Sequence, residues 1–269
     1  MAIAASPLTA AGRAGPTPGD SYVQSFARGL EVIRSFSARS PQQTLSEVAA
    51  RSGLSRAGAR RILLTLRTLG YVRSDGKYFS LTPRILDLGF AYLSSMPIWN
   101  LAEPVMESLA EEVRESCSAA VLDGTDIVYV MRVSTHKIMS ITLGVGSRLP
   151  VYCTSMGRVL LAGLPEEEAM ACLKASRPEL LTRHTVTELD TLRLKIAQTR
   201  RQGWCLVNQE LEEGLVAMAA PVYDRLGRTV AALNISGQAN RTSAKVMQDT
   251  MLPALLAAAQ TISRLLSVS

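Results

Sequence analysis

Histidine is scarce in this 269-residue chain, and His136 and His184 are its only two. Neither stands at a spacing that joins it to a nucleophile and a carboxylate, and no Gly-x-Ser-x-Gly run is present. Cysteine is also sparse. Cys117, Cys153, Cys172 and Cys205 are far apart with no Cys-x-x-Cys pair, so neither a disulfide framework nor a zinc knuckle is expected. No apolar run approaches the roughly 18 residues a membrane span needs. The basic cluster and apolar core of a secretory signal are missing as well. A cytoplasmic protein without a membrane partner is expected, with no metal and no cofactor. Acidic clusters do not change this. Glu166, Glu167 and Glu168 suit the first turn of a helix, and Glu210, Glu212 and Glu213 have no histidine beside them to complete a metal site.

Excess positive charge is missing from most of the chain. Residues 1–97 carry 12 Lys and Arg against 5 Asp and Glu, a net of +7, whereas residues 98–269 carry 17 against 18, a net of −1. With 47% hydrophobic and 19% charged residues and a mean hydropathy of +0.14, the chain is a folded protein long enough for two domains. A small basic domain attached to a neutral larger one fits a DNA-binding module joined to a sensing module.

Residues 1–20 are rich in Ala, Gly, Pro and Thr without periodicity and read as a disordered tail. Ser21 with Gln24 has the capping-box pattern, and Val23, Phe26, Leu30 and Ile33 follow at helical spacing. Thr44 with Glu47 forms a second capping box before a short helix that stops at Gly53, and Ser55 caps a third that ends at Gly70. The period then changes to two. Tyr71–Arg73 and Lys77–Leu81 flank Asp75-Gly76, a pair that favours a type I′ hairpin. Three short helices and a hairpin within residues 21–82 predict a winged helix-turn-helix. A linker helix follows over 83–97, and a further helix starts at Ile98; their apolar faces suit either dimerisation or packing within the chain. Residues 98–269 read as an antiparallel α+β sensor domain. Strands are expected at Ala119–Asp123, Ile127–Val133, Met139–Val145, Trp204–Val207, Leu215–Tyr223 and Thr229–Ser236. Helices are expected at Cys153–Leu164, Glu166–Lys174 and Leu189–Gln202, with a final one over 241–267 bent at Pro253.

Two groups of residues can carry function. On the third helix Ala59, Ile62, Leu63, Leu66 and Leu69 share an apolar stripe. A helix-turn-helix reads bases with the N-terminal part of its second helix, so Ser55, Arg56, Ala57 and Arg60 are candidates for the major groove, where Arg pairs bidentately with guanine. Arg61 and Arg67 suit phosphates, Arg73 and Lys77 suit a wing against the backbone or minor groove, and Thr44 joins the DNA-binding set from the preceding helix. The alternative is a solvated basic face. In the second domain Thr154 or Ser155 caps a helix whose free N–H groups suit a carboxylate. Asn208, Asn234 and Ser236 interrupt apolar strands and either bind something or satisfy strand-end hydrogen bonds. Arg132 and Arg148, at strand ends, pair with an acid or are surface charges.

The order of these segments, with Tyr22–Leu30, Ser55–Arg61, Leu69–Arg73, Phe79–Pro83 and Ala120–Val130, resembles the IclR family of bacterial transcriptional regulators across residues 22–267. Within that family it is similar to the PcaR/PcaU/PobR subgroup, which controls the protocatechuate and 4-hydroxybenzoate branches of the β-ketoadipate pathway. The resemblance implies a winged helix-turn-helix, a linker helix and a GAF-like effector domain acting as a homodimer, or a dimer of dimers, on palindromic double-stranded operator DNA. RNA polymerase is a further partner if the protein activates. The family's effector contacts fall on Ile138, Ile141, Ser155, Met156, Val207, Leu215, Ala217, Asn234 and Ser236. Members that bind small aliphatic acids have tiny residues in place of Ser155 and Met156 and an acidic one in place of Val207. The Met lining and the lack of an acidic group here favour a larger, flatter anion such as an aromatic acid, and the neighbouring Asn208 is placed to stand in for the acid. The small organic acid effector expected is an aromatic acid or pathway intermediate such as protocatechuate, 4-hydroxybenzoate or β-ketoadipate. A constitutive architectural DNA-binding protein and an enzyme are the rival classes. The large second domain argues against the first, and the missing catalytic constellation against the second.

Overall fold

The computed structural model describes Gly19 and residues 22–94, 98–134 and 143–268. The expected tail apart from Gly19, the expected first-helix cap Ser21, the effector candidates Ile138 and Ile141, and most of the expected strand Met139–Val145 lie outside the described residues. The chain divides into two compact units, Met1–Tyr92 and Leu93–Ser269.

In the first unit α1 (Gln24–Arg34), α2 (Leu45–Arg51) and α3 (Arg56–Thr68) pack around Val32, Val48, Ala59, Leu63 and Val72, all buried. Caps set where the helices begin. Thr44 accepts from the Glu47 N–H at 3.4 Å while the Glu47 carboxylate accepts from the Thr44 N–H at 2.7 Å, and Ser55 Oγ accepts from the Gly58 N–H at 3.1 Å. The wing is β2 (Val72–Ser74) and β3 (Tyr78–Leu81). A two-residue strand not expected from sequence, β1 (Gln43–Thr44), pairs with β3 and gives the order β1-β3-β2. The turn departs from the expected type I′, which needs a positive φ at both Asp75 and Gly76. Only Gly76, at φ +101°, has one. The Asp75 carboxylate instead accepts from the Lys77 and Tyr78 N–H groups at 3.0 and 2.7 Å, which holds a longer loop closed.

A 3₁₀ turn (Pro83–Ile85) leads into α4 (Leu86–Ser94), which crosses the boundary between the units, and α5 (Ile98–Val113) follows. The second unit is built on β4 (Ser116–Asp123), β5 (Asp126–Val133), β6 (Arg148–Pro150), β7 (Cys205–Asn208), β8 (Leu215–Tyr223) and β9 (Thr229–Gln238). They form one antiparallel sheet in the order β6-β5-β4-β9-β8-β7. The described part of the expected strand Met139–Val145 belongs to no strand; a turn at Gly144–Ser147 feeds the short β6 instead.

Helices cover both faces of the sheet, and side-chain alternation separates the two cores. Val216, Met218, Leu233 and Ile235 face α5 and the C-terminal helix, meeting Met106, Leu255 and Ile262. Ala120, Tyr129, Val207, Ala219 and Ala232 face α6 (Ser155–Ala162), α7 (Glu166–Ser176) and α8 (Leu189–Gln202), meeting Met156, Leu161, Leu173 and Leu192. The C-terminal helical segment is a short α9 (Ala244–Val246), one π turn (Met247–Met251) and α10 (Leu252–Val268). The expected irregularity at Pro253 falls one turn earlier. Proline has no N–H to return to the carbonyl four residues back, so the preceding turn widens.

Candidate functional site

The first unit presents one strongly basic surface. Burial of Ala59, Leu63 and Leu66 fixes the roll of α3 and leaves Arg56, Ala57, Arg60, Arg61 and Arg67 exposed. None of these four arginines forms an ion pair among the described residues, so their charge is directed at solvent. On the wing Arg73 Nε donates to Ser80 Oγ at 3.1 Å and the Lys77 ammonium lies 5.1 Å from the centre of the Tyr78 ring. Thr44 is spent as the α2 cap but stays half-buried at the helix N-terminus.

The second unit holds a narrow cavity of about 30 Å³ between the N-terminus of α6 and the sheet, partly open to solvent. It brings together Ser155, Met156, Val207, Leu215, Ala217, Asn234 and Ser236, seven of the sequence candidates. The sheet register explains the gathering. Ser116 lies opposite Ser236 and Ser118 opposite Asn234, while Ser236 and Val207 both pair with Ala217. A polar strip thus crosses an apolar sheet face. Above it, Thr154 Oγ1 accepts from the Gly157 N–H at 3.2 Å and donates to Pro150 O at 2.9 Å. The Ser155 and Met156 N–H groups, first in the helix, have no carbonyl to receive them. Gly157 lets this turn sit on the preceding segment, since a Cβ there would come within 2.2 Å of Val151 O.

Two buried polar atoms in this cavity have no partner, Ser155 Oγ and Asn234 Oδ1. Buried polar groups are rarely left so, because each unmet one costs about 1–3 kcal/mol. Tyr129 and Cys153 also line the cavity, and burial pushes the phenol and the thiol each up to about 12, so both stay neutral. No ionised side chain lines the cavity among the described residues.

Three candidates lie off this cavity. Arg148 is at the sheet edge, 2.6 Å from Asp123 and 3.1 Å from Asp126, where its charge is already met. Asn208 is exposed at the end of β7, and alternation turns it to the face opposite Val207. Arg132 shares the cavity face but bonds Ser134 Oγ at 3.0 Å and approaches Ser118 Oγ at 3.4 Å. Sequence reasoning missed Tyr129, Leu143, Leu149, Cys153 and Leu211 in the lining. Tyr129 had a signal, as it alternates with Ile127 on β5; Leu211 had none. It also missed that Glu210, dismissed as a metal ligand, is the partner of the buried Arg158. No group of three His, Cys, Asp or Glu that could hold a metal occurs among the described residues.

A helix-turn-helix with an unpaired basic helix face, in a chain that also carries a cavity with unmet polar atoms, is the construction of a ligand-responsive transcriptional regulator. Residues 25–76 match the model for the IclR helix-turn-helix domain and residues 90–264 that for the bacterial transcriptional regulator IclR C-terminal domain. The chain is 41% identical over 240 residues to the Pca regulon regulatory protein of Pseudomonas putida, covering 89% of this chain and 82% of that one. Its fold is similar to that of a transcriptional regulator from Rhodococcus sp. RHA1, at 49% identity and TM-score 0.82, over 91% of this chain and 98% of that one. It is also similar to an IclR homologue from Microbacterium hydrocarbonoxydans solved in complex with 4-hydroxybenzoate, at 26% identity and TM-score 0.79, over 91% and 100%. The chain belongs to the IclR family of bacterial transcriptional regulators. The expected α+β fold and the expected regulator in place of an enzyme agree with these relatives.

Proposed function

We propose that the chain regulates genes of aromatic-acid catabolism in the cytoplasm, binding double-stranded operator DNA under the control of a hydroxylated aromatic carboxylate. The observation that carries this reading is the pair of unpartnered buried atoms, Ser155 Oγ and Asn234 Oδ1, in a cavity otherwise lined by apolar or neutral groups. A carboxylate at the start of α6 accepts from the Ser155 and Met156 N–H groups and the Ser155 hydroxyl. A ring hydroxyl donates to Asn234 Oδ1, with Ser236 beside it. Met156, Val207, Leu215 and Ala217 flank the ring. The two relatives named for the Pca regulon and solved with 4-hydroxybenzoate support this chemistry. The effector is then 4-hydroxybenzoate or protocatechuate; β-ketoadipate, an aliphatic acid of the same pathway without a ring hydroxyl, is the alternative.

On the DNA side Ser55, Arg56, Ala57 and Arg60 read bases, while Thr44, Arg61, Arg67, Arg73 and Lys77 meet the backbone. Exposed Phe26, Leu86 and Phe90 support a homodimer, or a dimer of dimers; an activator would also touch RNA polymerase. The effector acts by binding two dimer arrangements with different affinity, which changes the spacing of the two α3 helices. Thermal unfolding of the intact chain with a panel of aromatic and dicarboxylic acids tests this. An acid at 100 times its Kd stabilises by about 2.7 kcal/mol. A shift with a hydroxybenzoate or with β-ketoadipate supports the pathway, and a panel in which neither shifts the midpoint overturns it in favour of another catabolic pathway.

A further inference from the structure

Of the contacts assigned above, Arg73 alone lines a groove on the first unit that runs on past further arginines. Strand pairing sets its base. Arg73 stands opposite Ser80 and Thr44 opposite Tyr78, so these side chains share the outer face of the wing sheet, away from buried Val72. Helix α2 forms the other wall with Glu47 and Arg51, one turn apart. Arg39 and Gln42 enter from the segment before β1. That segment is tied down by Gln43, whose Nε2 donates to Ser35 O at 2.9 Å and Ser40 O at 3.5 Å. Arg39, Gln42, Glu47, Arg51, Arg73 and Ser80 line an open groove of about 560 Å³, with Thr44 and Tyr78 beside it on the same sheet face.

Its charge is one-sided. Arg39, Arg51 and Arg73 are exposed along it, and among the described residues its lining holds one carboxylate, Glu47. That carboxylate is already engaged, since Glu47 Oε2 accepts from the Thr44 N–H at 2.7 Å and the Thr44 hydroxyl at 2.8 Å. Neither Arg51 nor Arg73 forms an ion pair with a carboxylate among the described residues. A small acid needs enclosure to bind, whereas spaced guanidinium groups along an open groove suit a polyanion. The groove adjoins Thr44 and includes Arg73, so it continues the surface assigned to DNA.

We propose that this groove seats the sugar–phosphate backbone of DNA beside the stretch read by α3, with Arg39, Arg51 and Arg73 as phosphate contacts. They carry affinity and register but no base information. The proposal rests on the reading of the chain as a DNA-binding regulator and extends its footprint beyond α3 and the wing tip.

The test is fluorescence anisotropy of the full chain on two duplexes of equal length, one selected by the wild type from a random library and one unrelated, between about 50 and 200 mM salt. Arg39→Ala and Arg51→Ala should each lower the slope of log K against log salt by about 0.9 per protomer. They should weaken both duplexes by the same factor, leave thermal unfolding unchanged, and recover the slope in Arg51→Lys. An unchanged slope overturns the groove alone, and so does a loss confined to the selected duplex. A wild type that binds neither duplex overturns the groove and the DNA-binding reading together.

Discussion

The guanidinium of Arg158 and the carboxylate of Glu210, 52 residues apart in sequence, form two buried contacts of 2.7 and 2.5 Å. Arg158 Nε also donates to Tyr152 O at 2.9 Å, and Glu210 Oε2 accepts from the Val186 N–H at 3.1 Å. The pair therefore ties the first turn of α6 to the connection after β7, which carries Leu211 into the cavity wall. Both charges are spent on each other and on backbone, which leaves the α6 N–H groups to meet an anion.

Breaking this pair should be far worse than replacing it. Glu210→Ala leaves a buried guanidinium unpaired and should cost about 3–5 kcal/mol, whereas Arg158→Met with Glu210→Leu should unfold close to the wild type. Urea denaturation of the three proteins checks this. A single variant as stable as the double one contradicts it.

Removing an unmet polar atom should help the empty protein and harm the bound one. Asn234→Leu is expected to leave thermal stability unchanged or slightly raised, because Oδ1 has no partner to lose. Its affinity for 4-hydroxybenzoate should fall by about 1–3 kcal/mol, an order of magnitude or more in Kd. Titration calorimetry beside thermal scans separates the two effects; benzoate, with no ring hydroxyl, should bind wild type and variant alike.

Arg60→Ala should cost about 1–3 kcal/mol on the selected operator and relax the preference at one base pair. Binding measured across single-base operator variants reads this directly. A loss equal on every sequence makes Arg60 a phosphate contact.

Alkaline pH should destabilise the second unit. Burial raises Cys117 and Cys153 from the usual 9 to about 12, and Tyr129 from 10 to about 12. The folded chain therefore holds protons that the unfolded chain has released. Stability is complete below about pH 9 and falls as pH climbs toward 12, at about 1.4 kcal/mol per unit for each group. Thermal midpoints at pH 8, 10 and 11 follow the trend, and Cys117→Ala should flatten it.

A side chain at position 157 should not be tolerated. The Cβ of Gly157→Ala would meet Val151 O at 2.2 Å and Val151 Cα at 2.5 Å, backbone on which α6 rests. The helix must lift, at about 3 kcal/mol, and effector binding should weaken more than DNA binding does. Equal stability in the variant would show that the turn has slack.

Local chemistry alone determined much of this protein. The caps at Thr44 and Ser55, the apolar stripe of α3 and the charge confined to residues 1–97 depend on neighbours within a turn or two, so the helix-turn-helix and its basic face were legible in the sequence. Ser155, Asn234 and Ser236 were legible as polar residues at a helix start and on apolar strands. Tertiary structure decided what they do. Ser118 meets Asn234 only because β4 and β9, more than a hundred residues apart, pair in one register. Arg148 looked equally suited to an acid, yet the β4–β5 turn places two aspartates beside it. Arg158 and Glu210 looked like ordinary charges until the fold buried them together. Contacts of this kind depend on which segments meet across the chain, and the spacing of residues along one segment holds no record of it.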